Sequence, residues 1–270
     1  MWALLPNPLL GVAKIGRRLA VATRRPAKSA MKRVDRFLGN PRLEITVAQA
    51  DLIQTLLADA TEALLTRDWT DPHDGVHQIL ALNVRAHGRA LPLAWRTVCK
   101  AALAGQMRAM EIALCQQAAA AIPPDCHVIL LADRGFAAPT LFAALTRLGW
   151  EGIIRAPGQV QGRRQGLWRW ADQRPVLRDL PHIRHGSRRA GTLLPCRAVI
   201  AADRQHREPW FLIVSAGLTP DAWPAARIVA AYRQRWTTEG ALKMKKMTAM
   251  RAFASTVCGS RPPRGGIAPS

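Results

Sequence analysis

The sequence predicts an α/β fold, a mixed β-sheet flanked by helices, and three observations carry that reading. Candidate elements through the middle of the chain follow the order β, β, β, α, β, α, β. The run Val128-Ile129-Leu130-Leu131 is apolar without interruption, the pattern of a strand covered on both faces. A long stretch rich in Ala, Leu, Met and Gln, from Ala101 to Ala121, separates that run from the strands before it and reads as a helix. With 270 residues the chain is long enough to bury a sizeable core.

Each element has a local reason. Ala27 to Leu38 predicts a strongly basic helix, and Thr46 to Leu65 a second, with Val47, Leu52, Ile53, Leu56 and Leu57 at helical spacing. Val76 to Val84 and Ala90 to Val98 read as strands joined by a turn at His87-Gly88. Pro123-Pro124 ends the Ala101–Ala121 helix, and His127 to Ala132 is the buried strand. Thr140 to Leu148 predicts a helix and Gly152 to Ala156 a strand. Residues 158–213, with eleven Arg and four acids, are too long for a simple loop. Alternation at Leu193 to Ala201 and Trp210 to Val214 suggests a β-rich insertion there.

Charge narrows the function. The formal net charge is +21, a field that attracts polyanions, with nucleic acid the first candidate. A ribosome-associated protein, a membrane-surface binder or an Arg-preferring genome are the alternatives. Residues 1–43 hold ten Lys and Arg against one acid, Asp35, and read as an arm for the DNA backbone or, for residues 1–26, a disordered basic tail. Five scattered cysteines without a C-x-x-C pair argue against a zinc site and a disulfide framework and fit a reducing cytoplasm. His73 and His77 are four apart, but not on a predicted helix, which argues against a zinc pair. Pro6 and Pro8 interrupt the apolar start, basic residues follow rather than precede it, and no run of 18 apolar residues exists. A signal peptide and a membrane span are therefore not expected.

The densest chemical signal is Tyr232, Arg235, Glu239 and Lys246, spaced Y-x2-R-x3-E-x6-K. On a helix advancing about 100° per residue they fall near 0°, 300°, 340° and 320°, within one narrow arc. A carboxylate flanked by a guanidinium, an ammonium and a phenol suits a metal-bound phosphodiester. Two other segments matter: Asp68-Trp69-Thr70-Asp71, and Asp133-Arg134-Gly135-Phe136 at the end of the buried strand. Taken singly, Asp68 is an ordinary turn acid, Asp133 a helix cap and Glu239 a solvated helix residue.

Together, in this order, the three segments resemble the signature of the insertion-sequence DDE transposases over roughly residues 33–246. The resemblance implies an RNase H-like catalytic core, with Asp68, Asp133 and Glu239 as catalytic residues and as ligands of two Mg²⁺ ions, Mn²⁺ substituting. It implies Mg²⁺-dependent cleavage at transposon ends and strand transfer into target DNA, in the bacterial cytoplasm at the nucleoid, with a homodimer in the synaptic complex. Arg235 and Lys246 would grip phosphates, Tyr232 would contact the backbone, and Trp210 would stack on a flipped base or pack in the insertion. Trp168 and Trp170, between arginines, are weaker candidates for stacking.

The expected organisation is a basic helical DNA-binding region at 1–60, a first part of the core at 61–157, and the insertion at 158–220. The last core helix follows at 221–247 and a divergent, disordered tail at 248–270. Three features depart from the resemblance. Arg67 stands before Asp68 where an apolar strand residue is usual, Gly240 weakens the signature helix, and Cys258 to Gly266 reads as unstructured. Two alternatives follow: a truncated, inactive remnant that only binds DNA, and a two-metal nuclease without strand transfer.

Overall fold

The structure is a computed structural model and describes residues 12–40, 42–72, 74–86, 89–156, 177–187, 192–201 and 209–235. The helices are α1 (Val12–Thr23), α2 (Ala27–Leu38), α3 (Ile45–Leu57), α4 (Met107–Ala119), α5 (Pro139–Arg147) and α6 (225–235). The strands are β1 (Glu62–Thr70), β2 (His77–Ala86), β3 (Arg89–Cys99), β4 (His127–Ala132), β5 (Glu151–Arg155), β6 (Arg178–Ser187), β7 (Thr192–Ala201) and β8 (Trp210–Ser215).

All eight strands join one sheet in the order β3-β2-β1-β4-β5-β8-β7-β6. β1, β2 and β3 form an antiparallel meander, whereas β1 pairs parallel with β4, and β4 parallel with β5. The strands of the β-rich segment continue this sheet: β8 pairs antiparallel with β5, β7 with β8, and β6 with β7.

Strand alternation divides the core in two. On one face Leu65, Leu80, Leu82, Leu130 and Ile154 pack against Ile53, Leu114, Leu141 and Leu145 of α3, α4 and α5. On the other, Ile129, Leu131, Ile153, Leu212 and Val214 pack against Trp223, Ile228 and Tyr232, in and just before α6. β4 is therefore apolar on both sides, and each of its fully buried Leu and Ile side chains contributes about 1.5–3 kcal/mol.

Several boundaries differ from the sequence reading. The helix expected to reach Leu65 stops at Leu57, because Glu62 onward is taken up by parallel pairing with β4, which overrides local helix preference. The helix expected from Ala101 begins at Met107. Before it the chain makes a short 3-10 turn, Lys100–Ala102, and passes through Gly105 at φ 71°, a conformation glycine adopts without the cost of a side chain. α1 and β6 are elements that the sequence pattern does not predict. α1 packs on α2 so closely that a Cβ at Gly16 would fall 2.6 Å from Met31 Cα.

The link from β1 to β2 is pinned by Asp74. Its Oδ1 accepts hydrogen bonds from the N–H groups of Val76 (2.9 Å) and His77 (2.8 Å), and its Oδ2 lies 2.7 Å from His77 Nδ1. Burial acts to raise this carboxyl. The His77 N–H, the His77 ring and the Val76 N–H outweigh it and bring the pKa down to about 2. A carboxyl with a lower pKa folded than unfolded stabilises the fold above its unfolded pKa, and that stabilisation is lost as pH falls through the folded value. Melting temperatures between pH about 4 and about 2 should therefore fall less steeply for Asp74→Asn than for the unmodified chain.

Candidate active site

The site begins with register. β1 and β4 pair in parallel as far as Thr66 opposite Leu131, and carried two residues past that last pair the register would bring Asp68 of β1 abreast of Asp133, the residue after β4. Neighbouring strands lie roughly 4.8 Å apart, so this register brings the two aspartates to the same end of the sheet. Alternation puts Asp68 on the face of Thr66, and Asp133 on the face of Ile129 and Leu131, which is the face covered by α6. Both aspartates are half-buried.

Each aspartate has local support. Thr70 Oγ1 lies 3.4 Å from Asp68 Oδ2. Asp133 caps the short turn Arg134–Phe136, its Oδ1 accepting from the Gly135 N–H at 3.0 Å. Arg235 closes the site from above: its Nη2 lies 3.3 Å from Asp133 Oδ2, and the arginine is buried. The described part of the Y-x2-R motif thus delivers a guanidinium to the second aspartate. Glu239 and Lys246 lie outside the described residues.

The same helix face is buried along its length. Ile228, Tyr232 and Arg235 form one stripe along α6, and all three are buried. Tyr232 is 0 % exposed and Trp210 1 %, and their rings meet edge to face with centroids 5.3 Å apart. Neither ring is exposed in the structure. Both rings fill the core between β8 and α6, and Arg235, one turn further along the stripe, reaches Asp133.

Residues absent from the sequence reading hold α6 in place. Arg85 Nη1 of β2 donates to the Gln234 carbonyl at 2.7 Å. Arg197 of β7 is buried, pairs with Asp179 of β6, and donates to the carbonyls of Leu218 (3.0 Å) and Trp223 (2.6 Å) ahead of the helix. The guanidinium of Arg227 lies over the Trp223 ring at 3.7 Å and reaches Glu62 at 3.1 Å. In the sequence these are arginines among many, and only the tertiary arrangement distinguishes them.

The donor set suits a hard divalent cation. Two carboxylates at one end of the sheet offer oxygen ligands, and Mg²⁺ retains waters for its remaining positions. Among the described residues no three His, Cys, Asp or Glu side chains gather into a metal cluster.

The strand order β3-β2-β1-β4-β5, antiparallel in its first three strands and parallel thereafter, defines an RNase H-like core. The family model for the transposase DDE domain matches residues 98–259, more than half of the chain, and the chain belongs to this family. It is accordingly a DNA-cleaving phosphoryl transferase of a kind that depends on a divalent metal, and DNA is its partner. The matched segment contains Asp133 and α6, whereas Asp68 lies before it.

The solved structures that resemble the chain include two endonucleases V. Endonuclease V of Ciona intestinalis, in complex with a 24mer DNA containing an inosine followed by a ribo-adenosine, is 14% identical, with 77% of this chain and 97% of that chain covered and a TM-score of 0.40. Endonuclease V of Bacillus subtilis is 15% identical, with 84% and 92% covered and a TM-score of 0.37. No curated protein matches the chain in sequence. Among the described residues no helix is long and apolar enough to cross a membrane.

Replacing Trp210 by Ala tests its place in the core directly. The expected cost is about 3–5 kcal/mol of stability, read from denaturant unfolding. A base-stacking residue on an open surface would instead lose DNA affinity with little change in stability.

Proposed function

We propose that the chain cleaves DNA at transposon ends and joins the freed 3′-hydroxyl to target DNA, with Asp68, Asp133 and Glu239 as its metal-holding carboxylates. One observation carries this reading: Arg235 of the signature spacing lies 3.3 Å from Asp133, which directly follows the strand that pairs in parallel with the strand of Asp68. Glu239 follows Arg235 by four residues, one helical turn in the signature spacing.

The proposed division of labour follows from side-chain chemistry. Asp68 and Asp133 supply oxygen ligands. Arg235 partly offsets the repulsion between neighbouring carboxylates and presents a planar donor set to a phosphate oxygen. Lys246 adds a point charge for the same backbone. Two bound Mg²⁺ ions would supply activation of the attacking oxygen and stabilisation of the leaving one.

DNA is held mainly by charge in this reading. Residues 1–60 form the proposed basic DNA-binding region, where Arg17, Lys28, Lys32, Arg33 and Arg36 are exposed on α1 and α2. Residues 61–157 and 221–247 carry the proposed core, 158–220 the insertion and 248–270 a tail. Two copies would meet in a synaptic complex that joins both transposon ends, acting at the nucleoid.

Asp133→Asn should abolish Mg²⁺-dependent nicking of DNA carrying the element's ends while leaving DNA binding intact. Nicking at the unmodified rate would remove Asp133 from the mechanism. The basic helices make a separate expectation. Substituting Ala for Lys32, Arg33 or Arg36 removes a cation that neutralises a phosphate. Each such change should reduce the slope of log K against log salt by about 0.9, measured by fluorescence anisotropy over a salt series.

A further inference from the structure

The side of β1 turned away from the carboxylates carries a charge inside the core. Arg67 is 0 % exposed. Its Nη1 donates to the Glu111 carbonyl at 3.2 Å and lies 3.4 Å from Cys115 Sγ, and its Nη2 lies 3.7 Å from Glu111 Oε2. The guanidinium sits over the Phe136 ring, 4.4 Å from its centroid. Glu111 itself accepts from Trp69 Nε1 at 2.9 Å and from Arg108 Nη1 at 2.5 Å. Arg108 Nη2 then donates to the Gly135 carbonyl at 3.1 Å.

Both arginines therefore end on the same turn, Arg134–Phe136, one through the Phe136 ring and one through the Gly135 carbonyl. A single carboxylate ties them together. On its other side, the Gly135 N–H donates to Asp133 Oδ1. Burial lowers the Arg67 pKa below its ordinary value, opposed by Cys115 and Glu111. A buried ion cluster of this sort adds little stability over well-packed apolar side chains, because desolvation of the charges offsets their attraction. Its cost is better matched to a task of geometry.

We propose that Arg67, Glu111 and Arg108 form a clamp of positioning residues that fixes the Arg134–Phe136 turn and, through the Gly135 N–H, the orientation of the Asp133 carboxylate. The clamp rests on the reading of Asp133 as a metal ligand. It touches neither metal nor DNA; it acts from behind the sheet, as outer hydrogen-bond partners orient metal ligands elsewhere.

Arg108 is the residue to change, since its side chain is one-third exposed and its removal spares the core. The readout is Mn²⁺ affinity of the full chain, followed by the EPR signal of free Mn²⁺, beside amide hydrogen exchange at Gly135. Arg108→Ala should weaken Mn²⁺ binding about 10- to 100-fold and speed Gly135 exchange. The sign separates positioning from bulk electrostatics, because deleting a positive charge by itself tightens cation binding. Arg96→Ala, which releases Gln117 on the same helix away from the turn, should leave both readouts unchanged.

Unaltered Mn²⁺ affinity in Arg108→Ala, with affinity abolished in Asp133→Asn, would overturn the clamp and spare the site. Unaltered affinity in Asp133→Asn would overturn the site and the clamp with it. Should Arg108→Ala not fold, Arg108→Lys carries the same test: it keeps a charge at Glu111, gives up the forked pair of donors, and should restore stability without restoring Mn²⁺ affinity.

Discussion

Along β1 the hydrogen bonds to β4 run in a parallel register, with Glu62 opposite His127 and Thr66 opposite Leu131, and the placement of the proposed carboxylates depends on that alignment. A slip of one residue would turn every side chain of β1 to the opposite face. A slip in one direction would put Arg67 in the place of Asp68; a slip in the other would force Asp68 among Glu111, Cys115 and Phe136. Burial enforces the correct choice. Leu65 belongs to the face packed on α3, α4 and α5, and a slip would trade its apolar contacts for an unpaired charge.

The alternation that sorts these residues also couples the two faces. Asp68 and Arg67 are neighbours in sequence, yet one points toward α6 and the other toward α4. The turn after β4 receives both influences: Asp133 faces Arg235, while Phe136 and Gly135 rest on the arginines behind the sheet. α6 repeats the arrangement along its length. Tyr232 anchors it in the core against Trp210, and one turn later Arg235 reaches Asp133. The anchor is apolar where the sheet is deep and charged where the sheet ends.

Much of this frame is legible in the sequence, for identifiable reasons. β4 stands out because four adjoining apolar residues admit few other uses, and α2 matches Ala27 to Leu38 because its pattern is strongly helical. The ends of α3 and α4 are not legible, since Ala- and Leu-rich segments favour helix locally whereas pairing with β4 and the turn at Gly105 decide the outcome. Helical spacing places Tyr232 and Arg235 on one face correctly as geometry, but spacing does not say whether a face meets solvent or the core. The Arg67–Glu111–Arg108 cluster leaves one trace, a charge at position 67 in an apolar setting. Glu111, 44 residues further along, becomes its partner only once α4 lies across β1.

The order of the elements has a consequence for synthesis on the ribosome. β1 and β4 complete their pairing in the first half of the chain, so both aspartates are in place early. α6 is made much later, after β6, β7 and β8 have extended the sheet that seats it. A growing polypeptide thus carries Asp133 without the arginine that faces it, and that ion pair forms only when translation has passed residue 235.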